Sequence, residues 1–434
     1  MINIIRKTLM AIFSAGLIFV PTESYSLTLD EALEMARETL PSYKASELRV
    51  KSTEALYNAS LSPYLPTLNA STRNERHFTS FGEFNTELYD FTLSYTILDW
   101  GGRKAVRNIA RLNLDITRED LRTSLLDIEF NVKNAFYTAI ARKEALEYRT
   151  IQLNDAEKDF EVAEGRYKFG VARLSDVLQS SVRLEQARFS LVQAEGDLTK
   201  AVLELNSLIG RPLESQYDIQ GSLDSGIDLP DRNWLAEVVL MRPEVKQAED
   251  AIKIEENNKS AAISAFFPVL SSNATYQKSS GGRSSLATGQ TGLTEDKILA
   301  LTATWNIFEL GKFFRVKSSG LERDVAFERL SDIKRQLVLD VNKAYEDLIT
   351  ASKNLKVAQQ QIKQAEQNYS QAFGEYKVGK SDILSLVQAE SLLAVAREQF
   401  VGSRLNLMIS KSQLERIAGV QNLEHLGNRE TEKP

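Results

Sequence analysis

Two stretches of the chain alternate between apolar and polar positions. In Tyr89-Asp90-Phe91-Thr92-Leu93-Ser94-Tyr95-Thr96-Ile97 every odd position is apolar and every even one polar. Leu299-Ala300-Leu301-Thr302-Ala303-Thr304-Trp305-Asn306-Ile307 repeats the pattern, with one small alanine on the polar side. A period of two predicts β-strands with one apolar face. Each run is about nine residues long, what a tilted strand needs to cross a bilayer. Weaker partners precede them at Thr67–Glu75 and Val269–Gln277, so strands are expected near 67–77, 87–98, 269–278 and 297–308. The same alternation also suits a half-buried hairpin on a soluble sheet, and pattern alone leaves both open.

Elsewhere the apolar positions step by three and four. One seam runs Leu125, Ile128, Val132, Ala135, Ala139, then Leu146, Leu153, Ala156, Phe160, Ala163, with Arg142 and Arg149 interrupting. Another runs Leu184, Ala187, Leu191, Ala194, Leu198, Ala201, Leu205, Leu208 without a break. These are coiled-coil seams, and their many alanines suggest close helix approach. Between Gly102 and Gly170 there is no proline and one glycine, Gly165. At ~1.5 Å per residue such a helix would reach roughly 100 Å. No compact domain holds that, so the molecule is expected to be a rod or tube.

The pattern is written twice. RYKFGVARLSDVLQ at 166–179 and EYKVGKSDILSLVQ at 375–388 share Tyr-Lys-apolar-Gly, a short polar break and an apolar run ending in Gln. At the same spacing Gly210 matches Gly419; upstream, Tyr64-Leu65-Pro66 matches Phe266-Phe267-Pro268. The expected organisation is a first repeat at 27–220 (strands, then a helical hairpin over 100–210), a linker at 221–233, and a second repeat at 234–420 (hairpin over 311–419). A polar tail follows at 421–434 and is expected to be disordered. At Gly170 and Gly379 one long helix stops and another starts, because glycine suits the left-handed residue after a helix end. Ser175 or Asp176, and Ser381 or Asp382, are expected caps. Two hairpin tips would then lie at one end of the rod, opposite the strands.

Composition narrows the chemistry. The chain has 434 residues, net charge −6 and 26% charged residues, which lacks the basic footprint of a nucleic-acid binder. It has no cysteine, excluding disulfides, thiolate chemistry and a lipid on an N-terminal Cys. Arg6 and Lys7, the apolar run Leu9–Val20, and Ser24 and Ser26 at −3 and −1 of a cut before Leu27 read as a secretory leader over 1–26. Only His77 and His425 exist, so a His-based metal site or triad is not expected, and no constellation reads as catalytic. Gly374 to Ser381 fits G-x-x-x-x-G-K-[ST], but that loop must follow a buried strand, and here a helical pattern precedes it.

The leader, the twofold repeat, the helix–strand–strand–helix–helix order and the Tyr-x-x-Gly tips together resemble the TolC family of outer-membrane efflux proteins. Leu27-Thr28-Leu29-Asp30-Glu31-Ala32-Leu33 and Leu98-Asp99-Trp100-Gly101-Gly102 belong to the same resemblance, which covers nearly the whole mature chain. It implies a mainly α fold with a membrane β-barrel: four strands per chain in a trimeric twelve-stranded barrel, and long α-helical hairpins forming a periplasmic tunnel. Tyr89, Phe91, Leu93, Tyr95, Ile97, Leu299, Leu301, Ala303, Trp305 and Ile307 would face lipid. Thr92, Ser94, Thr96, Thr302, Thr304 and Asn306 would line the pore.

The resemblance further implies no enzyme activity and no cofactor. It implies a passive exit duct for efflux or type I secretion, in the outer membrane and reaching across the periplasm. Its partners would be two further copies, outer-membrane lipid, a periplasmic adaptor and an inner-membrane transporter. Phe169, Gly170, Val171, Val378, Gly379 and Lys380 match the adaptor-docking tips. Asp176 and Tyr376 match a gate pair that holds the entrance shut; read locally they are also a helix cap and hairpin packing. Ser385 and Gln388 stand where the family's best-known member has an acidic ring, which argues against a cation-binding constriction. The alternative is a periplasmic coiled-coil scaffold or adaptor without a pore, which would need no lipid-facing band.

Overall fold

The computed structural model describes residues 26–79, 82–224, 229–281 and 294–420. The expected leader and polar tail lie outside them, apart from Ser26. In chain order the elements are β1 (Ser26–Leu27), α1 (Leu29–Thr39), α2 (Pro41–Ala59), β2 (Thr67–Thr79), β3 (Gly82–Leu98), α3 (Gly102–Lys168) and α4 (Leu174–Leu208). Then come β4 (Asp218–Ile219), α5 (Arg232–Val238), α6 (Pro243–Ser264), β5 (Val269–Gly281), β6 (Thr294–Thr304), α7 (Leu310–Lys377) and α8 (Ile383–Ala418).

Two helices, α3 with 67 residues and α7 with 68, set the dimensions. Each spans about 100 Å at ~1.5 Å per residue. Nothing in either sequence breaks the backbone ladder, and their small apolar seam residues let neighbours approach. α3 packs against α2 and α6, and also against α4 and α8; α7 packs against α6 and α8. Near the strands the helices therefore lie in the order α2–α3–α6–α7. Towards the far end the order is α4–α3–α8–α7. The α4 and α8 hairpin arms fill the places that α2 and α6 hold nearer the sheet.

The main core lies midway, where Leu27, Val132, Phe136, Ala139, Leu205 and Ile209 are buried together. A second cluster joins α5, α7 and α8 through Leu235, Val341, Leu348 and Leu414. The buried ion pair Lys133–Glu415, at 2.5 Å, ties α3 to α8. Arg37 reaches Glu129 and fastens α1 onto α3. A two-residue parallel pair, β1 with β4, was not expected from the sequence.

The four long strands form one antiparallel sheet in the order β2-β3-β5-β6. Three of them run longer than expected, with 13 residues in β2, 17 in β3 and 13 in β5, whereas β6, with 11, starts earlier and ends sooner than expected. Two expectations need correction. First, pairing continues beyond the apolar band, from Tyr89 back to Gly82 and from Gln277 on to Gly281. Second, β6 ends at Thr304, so Trp305, Asn306 and Ile307 lie in the connection to α7 rather than on the strand. Thr304 pairs with Val269; the residue before Val269 is Pro268, which has no N–H to extend a ladder.

Candidate channel wall and hairpin tips

Side chains on β3 divide as their pattern predicts. Tyr89, Phe91, Leu93, Tyr95 and Ile97 are exposed, whereas Asp90, Thr92, Ser94 and Thr96 on the other face are half-buried. Register extends the apolar face across the sheet: Leu68, Leu93, Ala274 and Leu299 form one row. Tyr95 and Leu301 both pair with Ser272, in the next row. Phe91 lies beside Tyr276, ring centroids 6.3 Å apart. One step further, at Tyr89, the row continues into Thr72, Lys278 and Glu295 and is no longer apolar. The opposite face carries Asn69, Thr92 and Thr275, with the Thr92 and Thr275 hydroxyls 3.1 Å apart. On β6, Leu299, Leu301 and Ala303 are exposed, but so are Thr302 and Thr304, because β6 is an edge strand. β2, the other edge, also has no strand partner on its outer side among the described residues.

The passage from strand to helix is tightly built. Trp100 and Gly101 adopt positive φ, 55° and 97°, so the chain turns sharply out of β3. Arg103 then donates to the carbonyls of Thr96 (2.7 Å), Ile97 (3.1 Å) and Pro63 (3.1 Å), and its guanidinium covers the Tyr64 ring. Trp100 stacks on Phe267 and donates its indole N–H to Pro268 O at 2.7 Å. At the other junction Lys312 donates to Asn306 O at 3.0 Å, and Trp305 donates to Phe266 O at 3.0 Å. The sequence reading missed both basic residues, although each directly follows a glycine, Gly102 or Gly311. The clustered aromatics suit a membrane–water boundary, where Trp and Tyr are enriched.

Both hairpin tips use the same helix stop. Val171 N–H donates to Arg166 O (2.9 Å) and Gly170 N–H to Tyr167 O (2.9 Å). Lys380 N–H donates to Glu375 O (2.8 Å) and Gly379 N–H to Tyr376 O (3.0 Å). This is the Schellman arrangement, which requires a left-handed residue; Gly170 has φ +71° and Gly379 φ +80°. The tips present apolar side chains to solvent: Phe169 is 87% exposed, and Val171 and Val378 are also exposed. A Cβ added at Gly379 would lie 3.7 Å from the Arg166 guanidinium, so the two tips are neighbours.

The caps differ from expectation at the first tip. α4 begins at Leu174, which makes Arg173 the N-cap; Asp176 sits in the first turn and accepts the Arg173 N–H at 3.4 Å. At the second tip Asp382 is the cap, accepting Ser385 N–H at 3.0 Å and the Ser385 hydroxyl at 2.9 Å. These bonds hold the Asp382 carboxyl below its usual range. Ser385 and Gln388 are exposed on one face of α8. The G-x-x-x-x-G-K-[ST] match falls on the end of α7 and this tip, so a helix rather than a strand leads into it.

The expected gate bond is not formed in this structure. Tyr376 is 1% exposed and its hydroxyl has no hydrogen-bond partner among the described residues. Its ring is instead covered by the Arg166 guanidinium, 4.5 Å from the centroid, and Arg166 also donates to the Tyr376 carbonyl. Burial, and secondarily the Asp176 charge, raise the Tyr376 phenol above its ordinary range, with Arg166 opposing. The Asp176 carboxylate is occupied locally by Arg173 N–H and the Ser175 hydroxyl.

A family model described as outer membrane efflux protein matches residues 32–211 and 234–420. The chain belongs to the outer membrane efflux protein family. It is 26% identical over 273 residues to the probable outer membrane lipoprotein SilC of Salmonella typhimurium, covering 62% of this chain and 58% of SilC. It is 24% identical over 400 residues to the pyoverdine export outer membrane protein OpmQ of Pseudomonas aeruginosa, covering 87% of this chain and 82% of OpmQ. The solved structure of the CusC channel superposes with TM-score 0.79 at 17% identity, over 90% of this chain and 92% of CusC.

This efflux protein is therefore an exit duct of the outer membrane, in a family of channel proteins rather than enzymes. The scaffold alternative falls with that assignment. Among the described residues no helix is long and apolar enough to cross a membrane, and no cluster of His, Asp and Glu could hold a metal ion.

Proposed function

We propose that three copies of this chain form one duct: a twelve-stranded barrel through the outer membrane, continued by a helical tunnel across the periplasm. The observation that carries this is the four-stranded sheet with two unpaired edges and one apolar face. In lipid each unpaired backbone group costs several kcal/mol, so the edges must close on something. Four strands are too few for a barrel, since the smallest in membranes have about eight. Two copies would supply about eight strands, whose interior side chains would fill. Three copies leave a passage. Phe91, Leu93, Tyr95, Leu299, Leu301 and Ala303 would face lipid; Thr92, Ser94, Thr96, Thr302 and Thr304 would line the pore.

In this reading the duct does no chemistry. A leader over 1–26 directs export, and two related halves, 27–220 and 234–420, each contribute a hairpin to the tunnel. Phe169, Gly170, Val171, Val378, Gly379 and Lys380 dock a periplasmic adaptor, which links the duct to an inner-membrane transporter. Exposed apolar side chains around glycines support docking, because the backbone there is open to a partner. Packing of the two hairpins just above the tips, near Asp176, Tyr376, Ser385 and Gln388, closes the entrance until the adaptor binds the open form better.

The test is planar-bilayer conductance of the purified protein together with its mass in solution. A conducting trimer is expected. A monomer without conductance would overturn the three-copy barrel.

A further inference from the structure

Asp159 lies on α3, three turns above the first tip, in the seam where the α3/α4 hairpin meets the α7/α8 hairpin. Only 5% of its surface is exposed. One carboxyl oxygen accepts the Tyr369 hydroxyl of α7 at 3.2 Å. The other is buried with no partner among the described residues. Glu390 of α8, 7% exposed, is the strongest charged influence on it.

Lys158, the next residue back on α3, favours the charged form of Asp159, but less than burial and Glu390 disfavour it, and no ion pair to Asp159 forms among the described residues. On α3 itself, Lys158 reaches Asp155 at 3.9 Å, and Arg397 of α8 also binds Asp155, at 3.6 Å. Arg183 of α4 acts on Glu390. From α7 the facing groups are Tyr369 and, one layer nearer the tip, Tyr376, whose ring is covered by Arg166. A carboxyl buried beside a second buried carboxyl, with a single phenol donor among the described residues to favour its charged form, is an arrangement that binds a proton.

We propose that Asp159 is a proton-operated latch between the two hairpins: protonated, it lets them lie together, and its deprotonation loosens them. Burial first, then Glu390, push Asp159 up to about 7, and burial raises Glu390 as well. The folded value lies above the free one, so the packed seam binds the proton more tightly than a separated one. Its stabilisation is complete below the ordinary Asp range, near ~4, and is lost as pH rises through about 7. The hairpins are therefore tightest in acid and loosest above neutrality. Each latch shifts the packed-to-loosened ratio by up to about tenfold per pH unit across that window.

The latch rests on the reading of the hairpins as the closure of the duct, and its test does not need transport. The chain has no cysteine, so spin labels placed through Lys168→Cys and Lys377→Cys report the distance between the hairpins cleanly. From about pH 5 to about pH 8.5 a longer-distance population should grow, with most of the change near neutrality. Asp159→Asn, which keeps the shape and removes the titration, should hold the short distance throughout. Asp159→Glu should restore a pH-dependent shift. A wild-type distance that does not change with pH, or an Asp159→Asn protein that shifts as the wild type does, overturns the latch. Conductance on the same samples separates the two ideas. A protein that never conducts but still changes distance with pH contradicts the duct reading and leaves the latch standing.

Discussion

At Tyr376 a single atom decides what a mutation should do. Its hydroxyl is buried without a partner, a state that costs about 1–3 kcal/mol relative to a satisfied group. Tyr376→Phe removes the orphan and keeps the ring under Arg166, so the protein should melt at the same or a slightly higher temperature, without added leak. Arg166→Ala strips a cation–π contact and a bond to a carbonyl; it should destabilise the tip by about 1–2 kcal/mol. A leak from Tyr376→Phe that matches Arg166→Ala would restore the gate bond to Asp176. Tyr376 was legible as a special position because its motif recurs. Its true neighbour was not, since Arg166 lies 210 residues away on a helix whose facing partner no local pattern names.

At the scale of elements, what was legible followed one rule. Helices without breakers and strands with strict alternation were visible, while pairing was not. β2 and β5 gave a weak signal because their outward positions include Ala70, Ser272 and Ala274, small side chains that are tolerated against lipid but add little to an alternating pattern. The strand extensions past Tyr89 were hidden, because ladder pairing in water needs no apolar face. Which helix lies beside α3 along its length depends on packing between distant segments. Phe91→Arg should block membrane assembly, since an arginine on the lipid face costs about 2–4 kcal/mol per copy near the midplane. Thr92→Arg, on the opposite face, should assemble and alter conductance; heat-resistant trimer on gels reads the first and single-channel current the second. At the tip, Gly170→Pro cannot adopt φ +71° and loses the N–H given to Tyr167. Export should stop while far-UV circular dichroism and trimer remain; loss of the trimer would make the tip a folding element instead.

For the whole molecule, chain connectivity limits which surfaces would meet in the proposed ring of three. β2 follows α2 and β6 leads into α7. If the β6 edge of one copy pairs with the β2 edge of the next, the end of α2 and the start of α7 are carried side by side. Both then present exposed apolar side chains: Leu56 (66%) and Leu48 (62%) on α2, Phe314 (62%) and Leu321 (56%) on α7. Counted away from the sheet, Leu56 is level with Phe314, and Leu48, eight residues deeper, is level with Leu321, seven residues deeper. Burying such faces offsets ordering at about 25 cal/mol per Å² of apolar area, and the absence of native cysteine makes the contact testable without background. In Leu48→Cys/Leu321→Cys protein, mild oxidation should join neighbouring copies wherever Cα atoms come within about 7 Å. A closed ring of three gives covalent dimers and trimers and nothing larger, and neither single substitution gives the ladder. Bands beyond the trimer would mean an open or larger assembly. No cross-link here, together with one between two copies of α7, would mean that the edges meet in a different order.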